Sequence, residues 1–198
     1  MNLTLLAGAF TFAAVAAFTP GPNNLIALAS GASFGFRRAL PQVAGVGAGF
    51  GSMLVLIGLG LGALFAAVPV LYTVLKYAAI AYLLWLAWQI ARSGAIGEGQ
   101  ARAQPMNFWG AAAFQWVNPK GWVAALTAVS TFTDPAAYGP SVAVLTGLNV
   151  VLAMTAVSTW AAFGLIVRRW LSSSRRQTVF NVGMALLLVL SVVPSLLH

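Results

Sequence analysis

Two short stretches of this chain hold the residue types that could bind a small polar solute: Thr19-Pro20-Gly21-Pro22-Asn23-Asn24 and Gln115-Trp116-Val117-Asn118-Pro119-Lys120-Gly121. Both lie inside apolar runs. Pro20 and Pro22 carry no N–H and crowd the carbonyls of Ala16 and Phe18, and Pro119 does the same to that of Gln115. Each break frees backbone carbonyls on one side. On the other a half-helix restarts, near Pro22 and near Lys120, because proline suits the first turn. A helix start presents free N–H groups and the positive end of a dipole, which together favour an anion. Lys120 adds a full positive charge, and it is the only charged residue near the middle of an apolar run. A lysine at the bilayer centre costs about 2.5 kcal/mol or more to insert. Snorkelling to an interface is the ordinary escape, but from mid-span the reach is long. The pattern fits a carboxylate at the helix starts. An ammonium fits the freed carbonyls of Ala16, Phe18 and Gln115, with the side-chain oxygens of Asn23, Asn24, Gln115 and Asn118. The ligand so inferred is a small zwitterion bound by Thr19, Pro20, Gly21, Pro22, Asn23, Asn24, Gln115, Asn118, Pro119 and Lys120.

Composition says what must surround these breaks. Of 198 residues, 61% are hydrophobic and 6% charged, against about 25% charged in a soluble domain. This is the composition of an integral membrane protein. The net charge of +8 does not point to nucleic acid, because the arginines fall in pairs between apolar runs and not along one face. There is no cysteine, and the one histidine is His198. A thiol relay, a disulfide and a His/Cys metal site are thereby excluded, and no cofactor is called for. The first residues lack a basic n-region, so Met1 to Ala17 do not read as a cleaved signal peptide.

At roughly 20 apolar residues per crossing, six spans are expected, at about 3–33 (broken), 39–66, 71–92, 107–131 (broken), 141–167 and 177–197. The polar connection 93–106 separates repeat one (about 1–92) from repeat two (about 107–198) within a single domain, 1–198. The fold class is all-α, with six transmembrane helices as two inverted three-helix repeats and with helices one and four broken at mid-membrane. Pro119 follows Pro20, and Pro140 follows Pro41, by the same 99 residues. Three spans per half must invert one half relative to the other, and broken helices meeting at the midplane are a transporter plan. The loops after spans one, three and five hold Arg37, Arg38, Arg92, Arg102, Arg168, Arg169, Arg175 and Arg176, whereas the opposite side holds Lys76 alone. The positive-inside rule then puts both termini outside, in the periplasm of a bacterial inner membrane. The glycines of span two (Gly45, Gly47, Gly49, Gly51, Gly58, Gly60, Gly62) suggest close helix packing. A dinucleotide fingerprint would need a strand before it. Tyr77, Tyr82, Trp85 and Trp88 in span three read as packing or interface anchors.

The order and spacing of Thr19-Pro20-Gly21-Pro22-Asn23, Gly35-Phe36-Arg37, Leu59-Gly60-Leu61-Gly62, Ala81-Tyr82-Leu83 with Trp85-Leu86, and Asn118-Pro119-Lys120 resemble the lysine-exporter (LysE/RhtB-type) family of bacterial amino-acid exporters over nearly the whole chain. Asn24, Trp85-Leu86-Ala87-Trp88 and Gln115-Trp116-Val117-Asn118 are similar to its cysteine/O-acetylserine exporter branch. The resemblance implies efflux of amino acids across the inner membrane, generally driven by the proton motive force. Many members carry a polar or acidic residue in the second span, where this chain has Phe50, Gly51, Ser52 and Met53, which removes a carboxylate as the coupling group. Expected partners are a small zwitterionic amino acid, the lipid bilayer, protons and a second copy of the chain as a homodimer. No Asp or Glu lies within a span, since Glu98 and Asp134 fall in loops. A cationic side chain therefore has no counter-charge, and small neutral amino acids are the expected cargo. An intramembrane hydrolase would need a Ser–His or paired-carboxylate site, which the spans lack. A channel lined by the breaks and a non-transporting membrane subunit are the alternatives.

Overall fold

The computed structural model describes residues 2–61, 67–92, 105–171 and 173–197. Eight α-helices account for nearly all of them: α1 (Leu3–Phe18), α2 (Pro22–Phe34), α3 (Phe36–Leu56), α4 (Pro69–Arg92), α5 (Phe108–Trp116), α6 (Pro119–Phe132), α7 (Tyr138–Trp170) and α8 (Ser174–Leu197). The helix ends follow from local chemistry. Asn2 caps α1 by accepting from the Leu5 N–H at 2.8 Å, and Asn107 caps α5 by accepting from Gly110 at 2.7 Å. The helix α1 stops before Pro20, its last turn closed by the Thr19 N–H on the Val15 carbonyl. Gly35, between α2 and α3, has φ +87°, a conformation that favours glycine. A five-residue π turn, Ile57–Leu61, extends α3 and is kinked at Gly60, φ +106°.

Among the described residues, two helices are long and apolar enough to cross a membrane, Phe36–Leu61 and Pro135–Trp170. The pair α1 and α2 passes the same test as one span bent by 52°. The described residues of the six expected ranges lie on helices, the first and fourth on the broken pairs α1–α2 and α5–α6. Residues 62–66 of the second span, and most of the connection 93–106 with Glu98 and Arg102, lie outside the described residues. Large apolar side chains cover the outside, among them Trp109 at 78% and Val151 at 63% exposure, while Gln42, Gln115, Asn118 and Asn149 are buried. That inversion of the soluble pattern suits a chain whose solvent is lipid.

The long helix α7 is the spine on which α1, α2 and α3 pack, while α3 also packs on α5, and α4 pairs with α8. Small residues set these approaches. A methyl group on Gly31 of α2 would overlap the carbonyl of Ala161, and one on Gly164 of α7 the carbonyl of Leu28. Along α3, Gly45 and Gly49 lie against the α5 backbone, while Gly47 and Gly51 lie against Met154 and Val150 of α7. The expected packing role of the span-two glycines holds for these four and for Gly58, which abuts Val142. It does not hold for Gly60, which has open space around it and serves the turn instead, and Gly62 is outside the described residues.

Candidate functional site

The two breaks meet. The helix α2 begins at Pro22 with Gly21 as its extended N-cap, and α6 begins at Pro119 with Asn118 as its N-cap. Gly21 has no side chain to close its helix start, and that of Asn118 does not close its own. The first intrahelical bonds come from the Leu25 and Trp122 N–H groups, to the carbonyls of Gly21 and Asn118. The N–H groups of Asn23, Asn24, Lys120 and Gly121 therefore lie ahead of the helical ladders.

Three hydrogen bonds tie the breaks together. Asn23 Nδ2 donates to Gln115 Oε1 at 2.8 Å, and Gln115 Nε2 returns a bond to Asn23 Oδ1 at 3.1 Å. Lys120 Nζ donates to the Thr19 carbonyl at 2.7 Å. The lysine stem lies across Gly21, where an added methyl would sit 2.9 Å from Cδ. Only glycine lets the stem take this path.

These bonds revise part of the sequence expectation. Asn23 and Gln115 turn their amides toward each other, and Gln115 Nε2 also donates to the Ala111 carbonyl at 3.0 Å, so this pair acts as a clamp. The carbonyl of Gln115 is re-satisfied locally by the Asn118 N–H at 3.1 Å. Asn24 Nδ2 donates to the carbonyls of Ala17 and Thr19, at 2.8 and 3.0 Å, and so covers the frayed end of α1. Trp122 Nε1 does the same for the carbonyl of Trp116 at 2.8 Å. Side chains beside the breaks thus take up the carbonyls of Ala17, Thr19 and Trp116, and a backbone N–H takes up that of Gln115. Asn118 Oδ1 differs: it is buried and has no partner, a costly state for an acceptor unless a donor arrives.

A cavity of about 70 Å³ opens at this junction, room for several water molecules and on the scale of a small solute. Gly21, Pro22, Asn23, Asn24, Gln115, Asn118 and Lys120 line it. Of the other expected residues, Thr19 acts through its carbonyl on Lys120, while Pro20 and Pro119 shape the breaks without lining the space. Ala13, Ala16, Ala17 and Ala124 supply small walls, and Val46 and Phe50 of α3 with Ala153 and Val157 of α7 supply apolar ones. Asn149 of α7 is the polar lining residue that sequence reasoning missed. Its Nδ2 donates to the Leu145 carbonyl one turn back, at 2.9 Å. An asparagine midway along an apolar span was the available signal, but with no proline beside it nothing marked a break.

Tyr82 packs against Phe114 and Trp85, with ring centroids 5.4 and 5.5 Å away, and Trp88 stacks under Arg92 at 4.9 Å. None of them lines the cavity, in keeping with packing and anchoring roles. No group of three or more His, Cys, Asp or Glu side chains suited to a metal occurs among the described residues.

A bent, multi-pass helical assembly with a mainly apolar cavity that carries a few polar groups between two interrupted helices has the build of a transporter, and residues 14–193 match the family model of the LysE type translocators. The chain belongs to that family, and it is a transporter and not an enzyme. It is 38% identical over 193 residues to proteins named cysteine/O-acetylserine efflux protein in Escherichia coli (strain K12) and in Shigella sonnei (strain Ss046), in each case covering 96% of both chains. No solved structure matches.

Proposed function

We propose that this protein is a secondary transporter that exports small neutral amino acids, of the kind of cysteine and O-acetylserine, across a bacterial inner membrane by alternating access. The observation that carries this reading is the cavity lined by residues of both helix starts, by Lys120 and by Asn118, whose buried side-chain oxygen has no partner among the described residues. The names of the efflux relatives support the substrate class. In this account the protein is one domain of six spans arranged as two inverted repeats, with both termini periplasmic. Residues Thr19 to Asn24 and Gln115, Asn118, Pro119 and Lys120 build the site.

The substrate carboxylate sits at the N–H groups of Asn23, Asn24, Lys120 and Gly121, where both helix dipoles favour it. Lysine carries three N–H donors. With one on the Thr19 carbonyl, the remaining two are available to the carboxylate, so Thr19 aims the charge. The α-ammonium goes to Asn118 Oδ1, whose lack of a partner a donor relieves. No carboxylate lines the cavity, so a lysine or arginine side chain would enter without a counter-charge. The Asn23–Gln115 clamp and the Lys120–Thr19 bond join the two repeats, and alternating access requires them to open and close. Lys120 is the one titratable residue lining the cavity among the described residues, which makes it the point where protons act on binding.

Counterflow in proteoliposomes tests the function. Vesicles preloaded with unlabelled O-acetylserine should accumulate labelled O-acetylserine transiently and saturably. Excess serine-sized neutral amino acids should compete, and lysine should not. Linear, unsaturable flux without counterflow would mark a channel, and equal competition by lysine would refute the zwitterion site.

A further inference from the structure

One wall of the cavity carries a polar group that the zwitterion's charges do not use. Asn149, Ala153 and Val157 all line the cavity, and their four-residue spacing puts them on one face of α7. The cavity residues of α1 and α3 are alanine, valine and phenylalanine. Among the described residues, Asn149 is thus the single polar side chain on the walls that α1, α3 and α7 contribute. It is 5% exposed. Its Nδ2 donates to the Leu145 carbonyl at 2.9 Å. A carbonyl only accepts, so the nitrogen and not the oxygen must face it, and this settles which way round the amide sits. One Nδ2 hydrogen is then spent. The other hydrogen and Oδ1 have no partner among the described residues. A buried amide used by half is costly unless something in the cavity completes it.

We infer that Asn149 reads the side chain of the transported amino acid, selecting small neutral amino acids that carry a polar group on that side chain. The inference rests on the zwitterion site proposed above. There the two charges are held by the helix starts, Lys120 and Asn118, which leaves the side chain to the walls of α1, α3 and α7. An amide offers both a donor and an acceptor. A hydroxyl, or more weakly a thiol, donates to Oδ1, and the ester carbonyl of O-acetylserine accepts from the second Nδ2 hydrogen. One residue thereby serves side chains of different size and opposite hydrogen-bonding sense. A side chain of the same shape without such a group leaves the amide unpaired. The selection is by chemistry and not by volume.

The experiment uses the full chain in proteoliposomes, with two pairs of unlabelled competitors acting on counterflow of labelled O-acetylserine. Serine is paired with α-aminobutyrate, and O-acetylserine with homoleucine. The members of each pair match in shape and differ in the polar group. In the parent, the polar member of each pair should inhibit at a concentration lower by about 3- to 10-fold, the usual worth of one neutral hydrogen bond. Asn149→Leu, which replaces the amide by an apolar group of similar size, should erase that preference in both pairs. Asn149→Ala gives the same reading if Asn149→Leu does not fold. A parent that fails to distinguish the members of either pair would overturn the inference, whatever the variants do. A variant that keeps both counterflow and the parent's preference would overturn it too. So would equal loss of inhibition by both members in a monodisperse variant, since Asn149 would then shape the cavity without reading the side chain. Lys120→Met reads the underlying site separately. It should weaken both members of each pair alike, because both carry the same charges. Unchanged inhibition in that variant would count against the zwitterion site, while the preference within each pair still reports on Asn149.

Discussion

Replacing Lys120 by methionine lowers substrate affinity by about 10- to 100-fold in calorimetric titration, with little change in the amount of folded protein. The figure follows from losing a charge-assisted hydrogen bond in a partly buried site, about 1.5–3 kcal/mol. Methionine keeps the length of the stem over Gly21 and removes only the charge and the donors. The pH dependence separates two mechanisms. If the charged lysine anchors the carboxylate, the parent's affinity falls as the amine loses its proton at alkaline pH, and rises or stays level toward acid pH. If a neutral Lys120 instead accepts from the substrate ammonium, proton and substrate compete, and affinity falls toward acid pH. The four N–H groups at the helix starts already favour an anion, and the Thr19 carbonyl is an acceptor suited to an ammonium donor, so the anchor is the expected result. The substrate's own ammonium titrates at alkaline pH as well, and the Lys120→Met profile subtracts that contribution. Affinity declining toward acid pH in the parent alone would overturn the anchor and favour direct proton–substrate competition.

The second large effect is on the fold. Gly31→Val and Gly164→Val each put side-chain carbon where the partner helix has backbone: the Ala161 carbonyl for the first, the Leu28 carbonyl and Ala32 nitrogen for the second. Backbone cannot swing aside as a side chain can, so α2 and α7 must separate. Overpacking typically costs about 1–3 kcal/mol, and a backbone obstruction belongs at the top of that range or beyond. At the upper figure the melting temperature in detergent falls by about 6–12 °C, with loss of the monodisperse peak. Gly147→Ala on α7 is the control, because nothing lies within 4 Å of an added methyl there and alanine is the better helix former. Equal melting temperatures for Gly31→Val and Gly147→Ala would contradict the described crossing. Transport should fall with stability, because α2 carries Asn23 and Asn24 while α7 carries Asn149 across the same cavity.

What the sequence made legible has a physical pattern. Proline announces itself, so both breaks and the starts of α2 and α6 could be located from Pro20, Pro22 and Pro119. A lone lysine between apolar runs announces itself as well. The partners of Lys120, Asn23 and Gln115 did not, because each depends on the angle at which two interrupted helices meet, and no local pattern encodes that angle. The carbonyls of Ala16, Phe18 and Gln115 were expected to face a ligand, yet that of Gln115 is taken by the Asn118 N–H, and Asn24 and Trp122 fold back onto neighbouring carbonyls, those of Ala17, Thr19 and Trp116. Those side chains sit within a turn or two of the carbonyls they serve, so the donors were available in the sequence, but their direction was not. Asn149 was overlooked for a different reason. It interrupts no helix, and a single amide on α7 gains its meaning only once α1, α3 and the two breaks close a cavity around it. The glycines of α3 were read as packing surface, but that Gly45 and Gly49 meet α5 while Gly47 and Gly51 meet α7 follows only from the assembled fold.

The absence of cysteine from the chain permits one direct test of where the substrate binds. Ala124 lies one helical turn beyond Lys120 and lines the cavity, and Ser173 is exposed between α7 and α8. In single-cysteine variants Ala124→Cys and Ser173→Cys, the rate of modification by a small water-soluble thiol reagent is measured with and without saturating O-acetylserine, which carries no thiol of its own. If the substrate occupies the space between the two breaks, modification at position 124 slows by about 10-fold or more, in proportion to site occupancy, while position 173 is unaffected. Unprotected modification at position 124, in a variant that still carries out counterflow, would contradict a substrate site at the meeting of the two breaks.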